Sequence, residues 1–418
     1  MRVWETDGSY HVDQVAFDYH GGRHIGSGLL RWSPKNGFHL EAQLTTVPPL
    51  PPGGVGFGHI GLVPRRDYCG LRLRLAGGGR VVVPPLPLVD HLEIIFLGQL
   101  SIRFPAALFF GNSQAATRGQ KWTGTAIIKT ASRLILPEQL DRTTRVGRRV
   151  AHRTISWEGF SFRGRNALHV VGYMVDETTM DVQWSLPAEP RNRGKAWRLA
   201  WAIRDALAIL YGQAIGVTWR EVRRGKTTAS ELRVCGQVTQ LGAFAPFYDR
   251  PITSDMIQRF VQFFLADSPD ADICRQMFRQ MLDAFSQRSV AAIELLVGTI
   301  LEAALRSFER APFALGKRFD VEKSLSHFRT RFWSQEWRPH CKRAVMAFRR
   351  LRHRNAHPDW IADPGGGLSD VMIAQHTSDM LFLTRFYGFM MLALMGFRDL
   401  EPAFPAEGLV AVDIGPSR

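Results

Sequence analysis

Residues 338–358 read RPHCKRAVMAFRRLRHRNAHP. From Arg338 to Arg354 this run holds seven Lys and Arg residues, two His and no acid. A solvated helix normally intersperses acids among its bases, giving i,i+4 pairs along its exposed face. A run this one-sided accumulates positive potential, and it either faces solvent or meets phosphate. Lys342–Ala356 has helical periodicity, and so do the segments around it: Asp255–Leu265, Ile273–Ala284, Ser289–Arg310, Val321–Phe332 and Ser369–Phe397. Pro and Gly fall largely at the joints, with Asp363–Gly367 separating the last two helices. Short joints imply antiparallel neighbours, so residues 254–400 are expected to form an all-α bundle.

Upstream the pattern changes. Over residues 1–190, short apolar runs recur between Gly and Pro punctuation: Gly28–Trp32, Phe38–Leu44, Leu71–Leu75 and Leu92–Phe96. Several alternate with period two, the mark of strands with one buried face, and turn signals such as Pro34–Gly37 and Ala76–Gly79 separate them. No long helical segment intervenes, which favours an antiparallel sandwich or barrel over an α/β fold. One helix is expected over Ala196–Gln213, where Trp197, Trp201, Leu207, Leu210 and Tyr211 give an apolar face. A strand-like piece, Glu231–Cys235, follows, and Pro246 and Pro251 mark a junction. The fold class is thus α+β and multidomain. A β-rich, sandwich- or barrel-like domain covers 1–250 with one central helix at 196–213, an α-helical bundle covers 254–400, and a tail covers 401–418.

At 418 residues the chain exceeds one ordinary core, and its 45% apolar content is that of a folded protein. No stretch approaches the roughly 20 uninterrupted apolar residues of a membrane span. The most apolar windows, 290–305 and 381–397, carry polar or charged residues at helical intervals. The opening MRVWETDGSY lacks a signal-peptide pattern, so no membrane and a cytoplasmic location are expected. Cys69, Cys235, Cys274 and Cys341 lie far apart, without zinc-ligand or disulfide spacing, and read as buried structural thiols. The net charge of +15 favours polyanionic partners, nucleic acid first among them.

Several motifs are set aside on chemical grounds. Gly56–Gly61 matches a dinucleotide fingerprint as a string, but Pro48–Pro52 precedes it and no helical run follows. Arg224-Gly225-Lys226-Thr227 resembles the end of a phosphate loop, but Arg220 stands where that loop needs glycine. His353 and His357 have the i,i+4 spacing of a zinc pair, yet Arg354 occupies the position of the metalloprotease glutamate. His20 and His24 share that spacing on a Gly-rich segment. No metal site is expected. The aromatics Trp4, Phe17, Trp32 and Phe38 are expected in a core rather than on a ligand face.

The cationic helix ends in Leu351-Arg352-His353-Arg354-Asn355-Ala356-His357-Pro358. Arg352, the polar His353 and then His357, after a spacer of four residues, resemble the motif of HEPN-superfamily ribonucleases. Arg350 fits with a spacer of six but is followed by Leu351, so Arg352 is preferred. Gly28–Trp32 with Gly37–Glu41 resembles the N-terminal β-domain of ApeA-type anti-phage proteins, and Ile293–Leu296 through Ile300–Glu302 resembles the early long helix of their HEPN domain. The resemblance implies a metal-independent endoribonuclease, without cofactor, in a bacterial anti-phage (abortive infection) or toxin role. It implies RNA as partner, tRNA or another cellular RNA, and a homodimer through the helical domain that pairs two motifs in one cleft.

The residues suit that chemistry. RNA carries a 2′-hydroxyl that attacks its own phosphate once a base removes the proton. Histidine serves as base or acid near neutrality, and arginine's fork stabilises the developing dianion. The candidate catalytic residues are Arg352, His357 and His353. The candidate RNA-binding residues are Arg338, Lys342, Arg343, Arg349, Arg350, Arg354 and Asn355. Helix ends also collect Arg and His to complement the helix dipole. A catalytically silent HEPN nucleic-acid- or nucleotide-binding module, or a protein-interaction scaffold, is therefore the alternative. The β-domain is expected to sense a trigger or to restrain the helical domain.

Overall fold

Period-two alternation in the first half of the chain builds one antiparallel sheet, and 3.6-residue periodicity in the second half builds helices. The computed structural model describes residues 7–19, 22–45, 70–76, 79–83, 91–95, 99–104, 106–110, 120–146, 151–164, 167–234, 239–247, 251–310, 319–356 and 370–397. The strands are β1 (Gly8–Tyr19), β2 (Gly22–Ser33), β3 (Gly37–Leu44), β4 (Gly70–Leu75), β5 (Arg80–Val83), β6 (His91–Ile95), β7 (Gln99–Phe104), β8 (Ala106–Phe110), β9 (Trp122–Lys129), β10 (Glu138–Val146), β11 (Ala151–Arg163), β12 (His169–Asp176), β13 (Thr179–Leu186), β14 (Gly216–Arg224) and β15 (Thr227–Arg233). The helices are α1 (Asn192–Tyr211), α2 (Ser254–Ala266), α3 (Pro269–Phe285), α4 (Val290–Phe308), α5 (Val321–Phe332), α6 (Arg338–Ala356) and α7 (Asp370–Leu394).

The fifteen strands hydrogen-bond in the order β10-β11-β12-β13-β9-β14-β15-β8-β5-β4-β1-β2-β3-β7-β6. The end of this sheet nearest the N-terminus curls. Phe38 on β3 and Phe109 on β8 are five strands apart in that order, about 24 Å on a flat sheet at roughly 4.8 Å per strand. Their ring centroids nevertheless lie 5.9 Å apart, and Phe38 also stacks on Phe104 of β7 at 5.2 Å. Val15, Phe17, Leu30, Trp32, Leu40, Leu73 and Val81 fill the enclosed space. Phe17, Trp32 and Phe38 are core residues, as expected; Trp4 lies outside the described residues.

The other end of the sheet carries helices on one face. Helix α1 packs across β13, β9 and β14, and α2 packs on α1 and β11. Leu207 and Leu210 of α1 are buried, and the helix ends at Gly212 in the left-handed conformation (φ 61°). Arg220 of β14 is sandwiched beneath α1. Its guanidinium lies 3.7 Å from the Trp197 ring centroid and 4.9 Å from that of Trp201, and it meets the buried Glu231 at 2.6 Å. Burial pulls its pKa down to about 10, while the Glu231 carboxylate works against that fall.

The helix starts follow from their caps. Thr253 accepts a hydrogen bond from Met256 N, Ser268 from Ala271 N ahead of Pro269, and Asp320 from Lys323 N. Helix α6 starts at Arg338, four residues before the periodicity at Lys342, because a proline such as Pro339 is tolerated in a first turn. Helix α7 is buried on nearly all faces from Met380 to Leu394, so it is the central helix of the bundle. One hydrophobic cluster runs without a break from Trp122 of β9 through α1 to Leu394 of α7. Among the described residues no helix is long and apolar enough to cross a membrane. Residues 56–61, the joint 363–367, the tail 401–418, His20, Cys69 and Cys235 lie outside the described residues. Cys274 and Cys341 are free and buried.

Candidate functional site

Helix α6 runs antiparallel to α7. Arg350 meets Asp379, Arg343 meets Phe382 and Ser378, and Trp337 near its start meets Phe389. Helix α4 completes the triangle through Gly298. A Cβ there would lie 3.3 Å from Leu351 Cβ and 3.6 Å from Arg352 N, so the missing side chain is what lets α4 approach the motif so closely.

The cations of α6 divide by face. At about 100° per residue, Arg338, Lys342 and Arg349 fall within roughly 40° of one another about the axis. All three are exposed. Arg349 pairs with the exposed Glu322 of α5 at 3.1 Å. Arg343 and Arg350 lie on the side toward α7. The Arg343 guanidinium sits 4.2 Å from the Phe382 ring centroid. Arg350 donates to both oxygens of Asp379, at 2.6 and 2.7 Å, and Gln375 adds a third hydrogen bond at 3.2 Å. Asp379 is wholly buried, and its hydrogen bonds raise the Arg350 pKa above the usual arginine value. His340, half-buried against Trp337, has its pKa lowered by burial and by the Arg343 cation.

Arg352 stands differently. Its side chain is 45% exposed, it pairs with Glu302 of α4, and its guanidinium lies 5.6 Å from the Phe348 ring centroid. Glu302 also accepts from Arg306 at 3.0 and 2.8 Å, so one largely buried carboxylate holds two arginines, of which Arg352 is the exposed one. His353, Arg354 and Asn355 occupy the last turn of α6, and His357 lies outside the described residues. The six-residue-spacer arginine, Arg350, is therefore bound into the bundle, while Arg352 remains at the surface.

A buried polar pair that no motif marks lies beside this helix end. His376 Nδ1 of α7 and Glu294 Oε1 of α4 are 2.9 Å apart, and both residues are buried. His376 is one turn before Asp379, and α7 is antiparallel to α6, so the pair lies level with the last turn of α6. Tyr387 Oη, also buried, donates to the Val297 carbonyl at 2.7 Å and ties α7 to α4 on the same side. The available signal was a lone acid in the apolar run Ile293-Glu294-Leu295-Leu296, and the polar run Gln375-His376-Thr377-Ser378-Asp379 ahead of the apolar end of α7. Such groups are buried only with partners. Among the described residues, no group of three or more His, Cys, Asp or Glu side chains is placed to hold a metal ion. No family model, curated protein or solved structure matches this chain.

Proposed function

We propose that the chain is a metal-independent endoribonuclease of the HEPN type. The observation that carries this reading is Arg352, exposed at the end of an acid-free cationic helix, five residues before His357. His357 takes the proton from a 2′-hydroxyl, and the oxygen attacks the adjacent phosphorus. Arg352 leaves Glu302 to bind the phosphoryl oxygens as their charge grows. The P–O5′ bond breaks and the 5′-oxygen collects a proton from a second imidazole, either His353 or His357 of a second copy. The products are a 2′,3′-cyclic phosphate and a 5′-hydroxyl. RNA reaches the site along Arg338, Lys342 and Arg349. An anti-phage or toxin role accompanies this reading through the sequence resemblance alone.

The test is incubation of purified protein with total RNA, with and without chelator, and analysis of the new ends. Chelator-resistant cleavage leaving cyclic phosphates supports the reading, and intact RNA refutes it. A second reading, a module that binds nucleic acid without cutting it, is favoured by the ion pair of Arg352 with Glu302, which occupies the guanidinium. Binding without cleavage in the same assay selects it.

A further inference from the structure

The sheet face opposite α1 holds an open groove of about 840 Å³, within the range of small-ligand sites. Six neighbouring strands line it, β10, β11, β12, β13, β9 and β14 in that order. Alternation explains its composition. Along β12, Val170, Gly172 and Met174 are buried toward the helices, while His169, Val171 and Tyr173 face the groove.

Half-buried aromatics stand at both ends. Trp157 of β11 lies opposite Leu140 and 5.9 Å from the Tyr173 ring, and Trp219 of β14 lies four strands away. Hydroxyls and an amide fill the space between, from Thr123, Thr125, Ser185 and Gln183. On the same face, the half-buried Asp181 holds this floor in place by accepting from Tyr173 Oη at 2.8 Å and Thr125 Oγ1 at 3.2 Å. The lining contains one acid and one arginine, Glu221 and Arg223, and these pair with each other.

Each property restricts the ligand. Single-stranded nucleic acid needs cations along its phosphates as well as stacking rings, and here the only described lining cation is neutralised. A peptide strand would add to a sheet edge, not lie across six strands. A lipid chain would not match a floor of hydroxyls. A ligand with apolar ring faces, a rim of hydroxyls and no charge matches all three features. We propose that this groove binds a segment of a neutral oligosaccharide, its ring faces against Trp157 and Trp219 and its hydroxyls on Gln183 and the threonines. This site stands independently of the ribonuclease reading.

The test uses the full chain, titrated by calorimetry and tryptophan fluorescence with cellohexaose, maltohexaose, xylohexaose, mannohexaose and chitohexaose. At least one should bind saturably, with equal affinity at about 50 and about 500 mM salt because no phosphate contact is involved. Trp157→Ala should weaken it by about tenfold or more. Gln183→Ala, at an exposed position that cannot disturb the core, should weaken it about fivefold, with an unchanged melting temperature. The proposal is overturned if none of the five sugars binds, or if binding survives both substitutions. It is also overturned if oligouridylate binds here in a salt-dependent way that Trp157→Ala abolishes.

Discussion

Arg350 of α6 grips the wholly buried carboxylate of Asp379 of α7 through two hydrogen bonds of 2.6 and 2.7 Å. This fixes the register of the motif helix on the central helix. It also separates two arginines that the sequence presents as near-equivalents, since Arg352, two residues on, points to the rim and Glu302.

Arg350→Ala should destabilise the protein by about 3 kcal/mol, because it leaves a buried carboxylate without its cation. Asp379→Ala should cost a similar amount. The double replacement Arg350→Met with Asp379→Leu should recover most of that loss, since a buried ion pair is often no better than matched apolar groups. Urea unfolding of the four proteins measures this directly. An Arg350→Ala protein as stable as wild type would show that the clamp carries no weight. If the double variant still cuts RNA, Arg350 is not the motif arginine.

Arg352→Ala and His357→Ala should each reduce RNA cleavage by a factor of about a hundred or more while moving the melting temperature by less than about 2 °C. Arg352 is 45% exposed, and the largely buried Glu302 keeps its pair with Arg306 when Arg352 is removed, so stability has little to lose. Full activity in a folded His357→Ala protein would end the ribonuclease reading.

The helices were legible because each carries its own periodicity, and Val321–Phe332 keeps the same ends in sequence and structure. An antiparallel, sandwich- or barrel-like first half was legible in the alternation, but the way its sheet curls was not. Its closure rests on pairings such as His39 with Arg103 of β7, and on Phe38 meeting Phe109, which no local pattern announces. The Arg352 position was legible as a motif, but the different fate of Arg350 depended on where α7 places Asp379. Glu294 is visible in the sequence as an acid within an apolar run and His376 as part of the polar run Gln375–Asp379, yet only packing pairs them. The aromatic groove draws on six strands, so no single segment contains its signal.

A two-fold dimer of the helical region is expected if cleavage needs both a base and an acid at one phosphate. Light scattering at micromolar concentration should give twice the chain mass, and mixing Arg352→Ala with His357→Ala protein should restore part of the activity. A monomer that cuts RNA at full rate would exclude this arrangement.

Burial pushes the Cys341 thiol up to about 12 and the Cys274 thiol well above the ordinary range. At pH 8 the Cys341 thiolate fraction is then on the order of one in ten thousand, so iodoacetamide should leave both residues unmodified until the protein unfolds. The linkage has a definite sign. Unfolded thiols ionise near about pH 8.5 while the buried ones stay protonated, so the stability they carry is complete below that pH and falls as pH rises. The melting temperature should therefore decline between about pH 8.5 and 11. Rapid native-state labelling of either cysteine, read by mass spectrometry, would contradict the buried assignment.

The salt dependence of RNA binding should separate the two faces of α6. Arg338, Lys342 and Arg349 share one exposed stripe that runs from residue 338 to residue 349, roughly 16 Å of helix at 1.5 Å per residue. The Arg349–Glu322 pair is exposed on both sides and weak enough to exchange for phosphate. Each alanine replacement on this stripe should therefore flatten the slope of log affinity against log salt by about 0.7, weakening all RNA sequences alike. Arg343, stacked on Phe382, and Arg350, bound to Asp379, are held toward α7. Replacing Arg343 should leave the slope nearly unchanged although the net charge falls equally. Equal slope changes for Arg338→Ala and Arg343→Ala would mean that RNA responds to total charge and not to a track. No change for any of them would make the helix a solvated basic face.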